Sequence, residues 1–269
     1  MASNTRQTGR FLPDLVSSLA YYRIWTFMAV NDLRARFARS RLGFAWIIVS
    51  FAVWAFGVGV VYAQLFELKA VDFVPFLTVG FALWGYIVSS IVDSGGAVII
   101  SAGYVKQFNL PKQVYVWRLI LSQLMTLGMT LLICAIVVMW FRPSAFANVA
   151  YMLPGLALLV CACILQAFLS AYLTPYVRDL PHAASSALNV IFFLTPIIFP
   201  PQLLKTRHLD FLIAVNPFYY LIEGVREPLL SGGLADPSVY VGAGVYVLIL
   251  LAMAWTICSA LDRRVVYAI

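Results

Sequence analysis

The chain has 269 residues, of which 63% are hydrophobic and only 11% charged, with a formal net charge of +7. A water-soluble globule of that size cannot cover so much apolar surface, so lipid must be part of its solvent. The apolar runs leave no room for a soluble catalytic domain of ~100 residues, and the four cysteines all fall inside those runs, where they read as packing residues rather than a disulfide or metal set.

Residues 1–10 are polar and lead into mixed sequence, which is not the pattern of a secretory signal. In "PDLVSSLAYYRIWTFMAVNDLRARFARS", Leu15, Val16, Leu19, Tyr22 and Thr26 recur at helical spacing and the arginines gather toward the end. That pattern predicts an amphipathic helix over residues 14–41 lying in the membrane interface, although a plain basic flank would account for the same arginines. "RARFARSRLGFAW" follows, with Arg34, Arg36, Arg39 and Arg41 and then no charge before Glu67.

Runs of about 20 apolar residues, the length needed to cross a bilayer, predict six spans near 42–66, 73–92, 119–141, 152–175, 183–204 and 237–261. The charge-free stretch 143–177 is too long for one straight helix. Pro143, Pro154 and Pro175 divide it into an interfacial lead-in and a span.

Two connections are more than linkers. Residues 101–118, "SAGYVKQFNLPKQVYVWR", are too polar to span, and Pro111 would end a short helix near Asn109. Tyr104, Phe108, Tyr115 and Trp117 alternate there with Lys106, Lys112 and Arg118. Such a pattern suits a docking surface for a partner and equally suits aromatic anchoring at the interface. In residues 195–234 the apolar pieces 211–215 and 217–222 are too short to cross, and proline recurs at Pro196, Pro200, Pro201, Pro217 and Pro228. Broken backbone at membrane depth is tolerated only under cover of protein or a water-filled cavity, which predicts short re-entrant or interfacial helices. Glu223, Arg226 and Glu227 fall at the spacing of helical ion pairs; a solvated cluster is the other reading.

With a cytoplasmic N-terminus, thirteen lysines and arginines lie on the inside segments and five outside, so both termini are expected in the cytoplasm. The positive charge is therefore a topology signal rather than a nucleic-acid footprint. No GxxxxGK[ST] loop and no HExxH motif occurs, and His182 and His208 fall on opposite sides of the membrane. Asp93 is the one carboxylate near a span interior. Ion-coupled carriers need intramembrane acids or bases, so the energy source is expected outside this polypeptide.

These stretches share an order with a known family. "RFARSRLGFAW", "VKQFNLPKQVYVWR", "YVRDLPHAASSALNVIFFLTPIIFP" and "NPFYYLIEGVREPLLSGG" resemble, in sequence, four landmarks of the membrane subunit of type-2 ABC exporters, specifically the polysaccharide permeases for O-antigen, capsule or teichoic acid. Val116 departs from the pattern, since many relatives carry proline there.

The resemblance implies an all-α homodimer of six-span subunits in the bacterial inner membrane. It implies two copies of a separate ABC ATPase holding ATP and Mg, with no cofactor and no catalysis on this chain. The cargo would be an undecaprenyl-diphosphate-linked polysaccharide moved from cytoplasm to periplasm. Tyr104, Lys106, Phe108, Asn109, Pro111 and Lys112 would form the segment coupled to the ATPase. Pro196, Asn216, Pro217, Glu223 and Arg226 would stand at a periplasmic gate. Arg34, Arg36, Arg39 and Arg41 are candidates for the diphosphate at the cytoplasmic entrance, since guanidinium groups suit bidentate phosphate contacts; topology or the ATPase also claims them. Trp46, Trp54, Tyr62, Trp84 and Tyr86 are candidates to line a sugar path, with lipid contact or core packing as the competing role of each. A type-2 permease for a small lipid or drug would share the fold, and a membrane-embedded enzyme on lipid carriers would need an acid/base or metal constellation that the sequence does not assemble.

Overall fold

The computed structural model describes residues 11–36, 40–43, 45–101, 103, 110–206 and 208–262. Every regular element among them is helical. Helices α1 (Phe11–Ala20) and α2 (Tyr22–Arg36) lie at one end of a bundle built from α3 (Ala45–Leu65), α4 (Ala70–Val92), α6 (Gln113–Phe141), α7 (Leu153–Leu173), α8 (Leu180–Leu194) and α12 (Pro237–Leu261). A 3₁₀ turn (Asp93–Gly96) and the single-turn α5 (Ala97–Ile100) follow α4, and a ten-residue 3₁₀ stretch, Pro143–Met152, leads into α7. At the end away from α1 and α2 sit α9 (Pro201–Thr206), α10 (Asp210–Val215) and α11 (Pro217–Ser231).

The expected single amphipathic helix is thus two helices broken at Tyr21. Val16, Leu19 and Tyr22, the apolar stripe read from spacing, are exposed, whereas Ser18, Ala29 and Leu33 are buried against the bundle. Phe11 stands edge-on to Phe168 and Tyr172, with ring centroids 6.4 and 5.8 Å apart. The Trp117 indole donates to Ser18 Oγ at 3.0 Å, and Arg118 holds Asp32 through both Nε and Nη2. A bidentate guanidinium–carboxylate pair fixes angle as well as distance, so α2 is oriented against the first turns of α6. Tyr115 is buried and Trp117 half-buried. Neither is therefore an exposed docking aromatic, because α6 already begins at Gln113 and its first turn packs into the bundle.

Helix α4 is the centre of the fold: fourteen of its 23 residues are buried, against three of 21 in α3. Leu77, Leu83 and Ile87 are wholly covered, by side chains from α6, α7, α11 and the start of the α8–α9 connection. The buried residues of α3 are small, Ala55, Gly59 and Ala63, and its Val53, Val61 and Leu65 face outward. Large apolar side chains around most of a helix suit a lipid-facing or subunit-facing span.

Five helical segments are long and apolar enough to cross a membrane: Ala45–Leu65, Ala70–Ile100, Gln113–Phe141, Ala147–Leu173 and Pro237–Leu261. The remaining expected span, 183–204, is interrupted. Helix α8 ends at Leu194, and Thr195 turns to extended backbone (φ −92°, ψ 133°). Pro196 supplies the cause, since the residue before proline is driven out of the helical region. The 15 residues of α8 reach about 22 Å at ~1.5 Å per residue, short of a hydrocarbon core of ~30 Å.

Helices α7 and α11 cross closely at a pair of glycines. A Cβ built on Gly155 would lie 2.0 Å from the Gly224 carbonyl oxygen, a backbone atom that cannot swing aside. Gly155→Ala must therefore push the two helices apart. We expect a loss on the order of 1–3 kcal/mol, the usual cost of overpacking, seen as a lower unfolding midpoint of the detergent-purified protein. Gly244→Ala, with nothing within 4 Å of its added methyl, should leave the midpoint in place.

Candidate functional site

The proline-broken region read from sequence closes on one side chain. Arg226, on α11, is 1% exposed. Its Nε donates to Glu223 Oε2 at 2.9 Å, and Nη2 donates to the same oxygen and to the Pro196 carbonyl at 2.9 Å. The guanidinium carbon lies 3.7 Å from the centroid of the Phe76 ring, and Nη1, directed at Gly80, has no hydrogen-bond partner among the described residues. The ring face compensates the unpaired edge of the cation, and the missing side chain at Gly80 leaves it room.

The surrounding backbone explains why this arrangement forms. Asn216 caps α11, its Oδ1 accepting from Phe218 N at 3.0 Å, and Pro217 occupies the first helical position, where its missing N–H costs nothing. The same Asn216 donates from Nδ2 to Thr195 Oγ1 at 2.7 Å, so the cap of α11 also clamps the end of α8. Gly232, at φ +87°, closes the helix in the left-handed conformation. Pro196, Asn216, Pro217, Glu223 and Arg226, separated by up to 30 residues, are thereby one cluster joining α4, α8 and α11. Beside it lies a cavity of about 380 Å³ lined by Gln202, Tyr219, Tyr220, Glu223, Glu227 and Asp236. Carboxylates beside tyrosine rings offer hydrogen-bond acceptors and flat apolar faces to a hydroxyl-rich ligand.

A second polar cluster closes the α1–α2 end. Lys112 Nζ lies 3.0 Å from Asp262 Oδ1, and the same oxygen accepts from the Tyr172 hydroxyl at 2.9 Å. Gln113 Nε2 donates to Tyr172 Oη at 3.0 Å. Asp262 is 1% exposed and caps the C-terminus of α12. Carbonyl dipoles there disfavour a carboxylate, so Lys112 supplies the charge that holds it. Sequence reasoning named Lys112 and missed Asp262, because an acid just before Arg263 and Arg264 reads as part of a solvated flank. A third network, Ser90 to Gln166 to Tyr246, joins α4, α7 and α12 by bonds of 2.8 and 2.9 Å. Its only sequence signal is a glutamine inside an apolar run.

The other candidates are scattered. Arg34, Arg36 and Arg41 are exposed. Arg39, with Tyr104, Lys106, Phe108 and Asn109 of the expected coupling segment, lies outside the described residues. Pro111 and Lys112 stand at the foot of α6. Trp46 and Trp54 project from α3, Trp54 leaning on Phe81 with centroids 3.9 Å apart, and Tyr62 is half-buried. Trp84 is 8% exposed between Phe192 and Phe218, a core contact within the subunit, while Tyr86, also buried, borders a cavity beside α3 and α6.

The fold and these clusters define a multi-pass α-helical membrane protein whose two charged clusters sit beside helix ends and breaks. The chain belongs to the ABC-2 type transporter family, which its residues 23–230 match. It is similar to the O-antigen export system permease protein RfbA of Myxococcus xanthus, 21% identical over 256 residues that cover 93% of this chain and 96% of that protein. It is also similar to the O-antigen export system permease protein RfbA of Klebsiella pneumoniae, 23% identical over 210 residues, 76% of this chain and 79% of that protein.

Proposed function

We propose that this chain is the permease subunit of an ATP-driven exporter that carries an undecaprenyl-diphosphate-linked polysaccharide, such as O-antigen, from cytoplasm to periplasm. The observation that carries the reading is its similarity, along nearly its whole length, to a permease named for O-antigen export. The working unit is a homodimer in the bacterial inner membrane with both termini cytoplasmic, docked on two ABC ATPase subunits that hold ATP and Mg. In this reading the end bearing α1 and α2 is cytoplasmic, which agrees with its excess of lysine and arginine. Residues 104–112 meet the ATPase, one or two of Arg34, Arg36, Arg39 and Arg41 receive the diphosphate, and the Arg226 cluster with its neighbouring cavity forms the periplasmic gate. Trp46, Trp54 and Tyr62, on the sparsely covered α3, face the sugar path across the dimer.

The test is co-expression with its ATPase in a host that makes the lipid-linked glycan but lacks its own exporter. Surface glycan should appear with both subunits and with neither alone. A chain carrying Arg34→Gln and Arg41→Gln, verified for orientation and assembly, should lose most of that export. Surface glycan in the absence of any ATPase, or an assembled pair that moves none, would overturn the reading.

A further inference from the structure

A cavity of about 170 Å³ opens between α3, α4 and α6 near the α1–α2 end. That is nearly six times the ~30 Å³ share of one water, so it has room for more than a bridging solvent molecule. Its wall has an uncommon composition for a bundle of apolar spans. Arg36, the last residue of α2, and Asp93, just beyond α4, both border it, as do the hydroxyl residues Ser122 and Thr126 of α6. Phe51 and Leu127 continue the wall as apolar surface.

Arg36 and Asp93 are both exposed. Among the described residues neither has an ion-pair partner within 4.0 Å, not even the other, although they share the cavity. A guanidinium and a carboxyl, which interact through space without an ion-pair contact, therefore border one open space at the α1–α2 end of the bundle. A zwitterion with its charges a few atoms apart would bridge that space. An anion alone would meet Asp93, and a multiply charged diphosphate would meet it with greater repulsion. Gln123 does not compete, since its Nε2 is occupied by Ser89 O at 2.9 Å and Ser94 Oγ at 3.0 Å.

We propose that this cavity binds the headgroup of a phosphatidylethanolamine, in the leaflet on the α1–α2 side. The phosphate pairs with Arg36, and the primary ammonium donates charge-assisted hydrogen bonds to Asp93. The hydroxyls of Ser122 and Thr126 face the ester region, and an acyl chain follows Phe51 and Leu127. Phosphatidylcholine has the same charges but no N–H to donate, so Asp93 is the residue that selects the headgroup. The site is independent of what the transporter carries.

The full-length chain, purified in detergent, is titrated with phosphatidylethanolamine, phosphatidylcholine and phosphatidylglycerol of identical acyl chains, and bound lipid is read by native mass spectrometry. Wild type should favour phosphatidylethanolamine over phosphatidylcholine by about tenfold, the scale of one charge-assisted hydrogen bond. Asp93→Asn should bring that ratio near one, while Arg36→Gln should weaken both zwitterionic lipids alike. Arg178→Gln, an exposed arginine at the same end that does not border the cavity, should change nothing. Excess soluble phosphoethanolamine should fail to displace the lipid. Equal binding of the two zwitterionic lipids by wild type, a preference for phosphatidylglycerol, or a phosphatidylethanolamine preference surviving Asp93→Asn would overturn the proposal. Displacement by soluble phosphoethanolamine would overturn its assignment to a lipid. The wild-type comparison of headgroups does not require any variant to fold.

Discussion

Arg226→Met is expected to cost about 3–5 kcal/mol of stability, the range for removing one partner of a buried ion pair. The reason is what the substitution leaves behind rather than what it deletes. Glu223 keeps its charge in a covered position, and the Pro196 carbonyl loses its donor at the point where α8 stops. Methionine fills much of the space over Phe76, so lost packing contributes little. The double variant Arg226→Met with Glu223→Leu removes both charges and should recover most of the loss, since replacing both partners by apolar groups is far cheaper than orphaning one. Unfolding midpoints of the detergent-purified single and double variants check this. A single variant as stable as wild type would show that the pair is dispensable to the fold. Asn216→Ala should weaken the same region by a smaller amount, because it removes a helix cap and the bond to Thr195 while leaving no buried charge.

Much of this region was legible in the sequence because proline and asparagine act locally. Pro196 ends α8 through its effect on Thr195, and Asn216 with Pro217 starts α11, whatever the tertiary context. The i, i+3 spacing of Glu223 and Arg226 offered their pairing for the same reason, with a solvated cluster as the other reading. What the sequence did not show is that Arg226 also reaches back to Pro196 and onto Phe76, since those contacts depend on how α4, α8 and α11 meet. The bounds of the fifth expected span fared differently. Hydropathy counts apolar residues and is blind to a proline-driven break within them, so 183–204 reads as one span although its helix stops at Leu194. The aromatics of α4 show a similar limit: Trp84 looks the same in sequence as Trp54, and only the packing of Phe192 and Phe218 makes it a core residue.

The Lys112–Asp262 pair carries the second large effect, and it bears on how the start of α6 and the end of α12 are joined. Asp262→Ala leaves the Lys112 ammonium, in a mostly covered position, with only the backbone carbonyl of residue 262 as acceptor, and it removes the acceptor of the Tyr172 hydroxyl, which is itself bonded to Gln113. A loss of about 3–5 kcal/mol is expected. Asp262→Asn keeps an oxygen for Tyr172 but not the charge, and should fall between wild type and alanine. Lys112→Met alone leaves the carboxylate buried at the carbonyl end of α12, where the helix dipole opposes it, and should be as harmful as Asp262→Ala. Combining Lys112→Met with Asp262→Asn should cost less than the sum of the two, with an interaction energy of about 1–3 kcal/mol in a double-mutant cycle. Strict additivity would mean that the two groups do not act on each other. Lys112 stands at the foot of α6, at the end of the segment proposed to meet the ATPase, and Asp262 terminates the last span. Their bond places any displacement of that segment directly onto α12. In the co-expressed complex, variants that break the pair yet remain folded should therefore lose surface glycan more than they lose ATP hydrolysis.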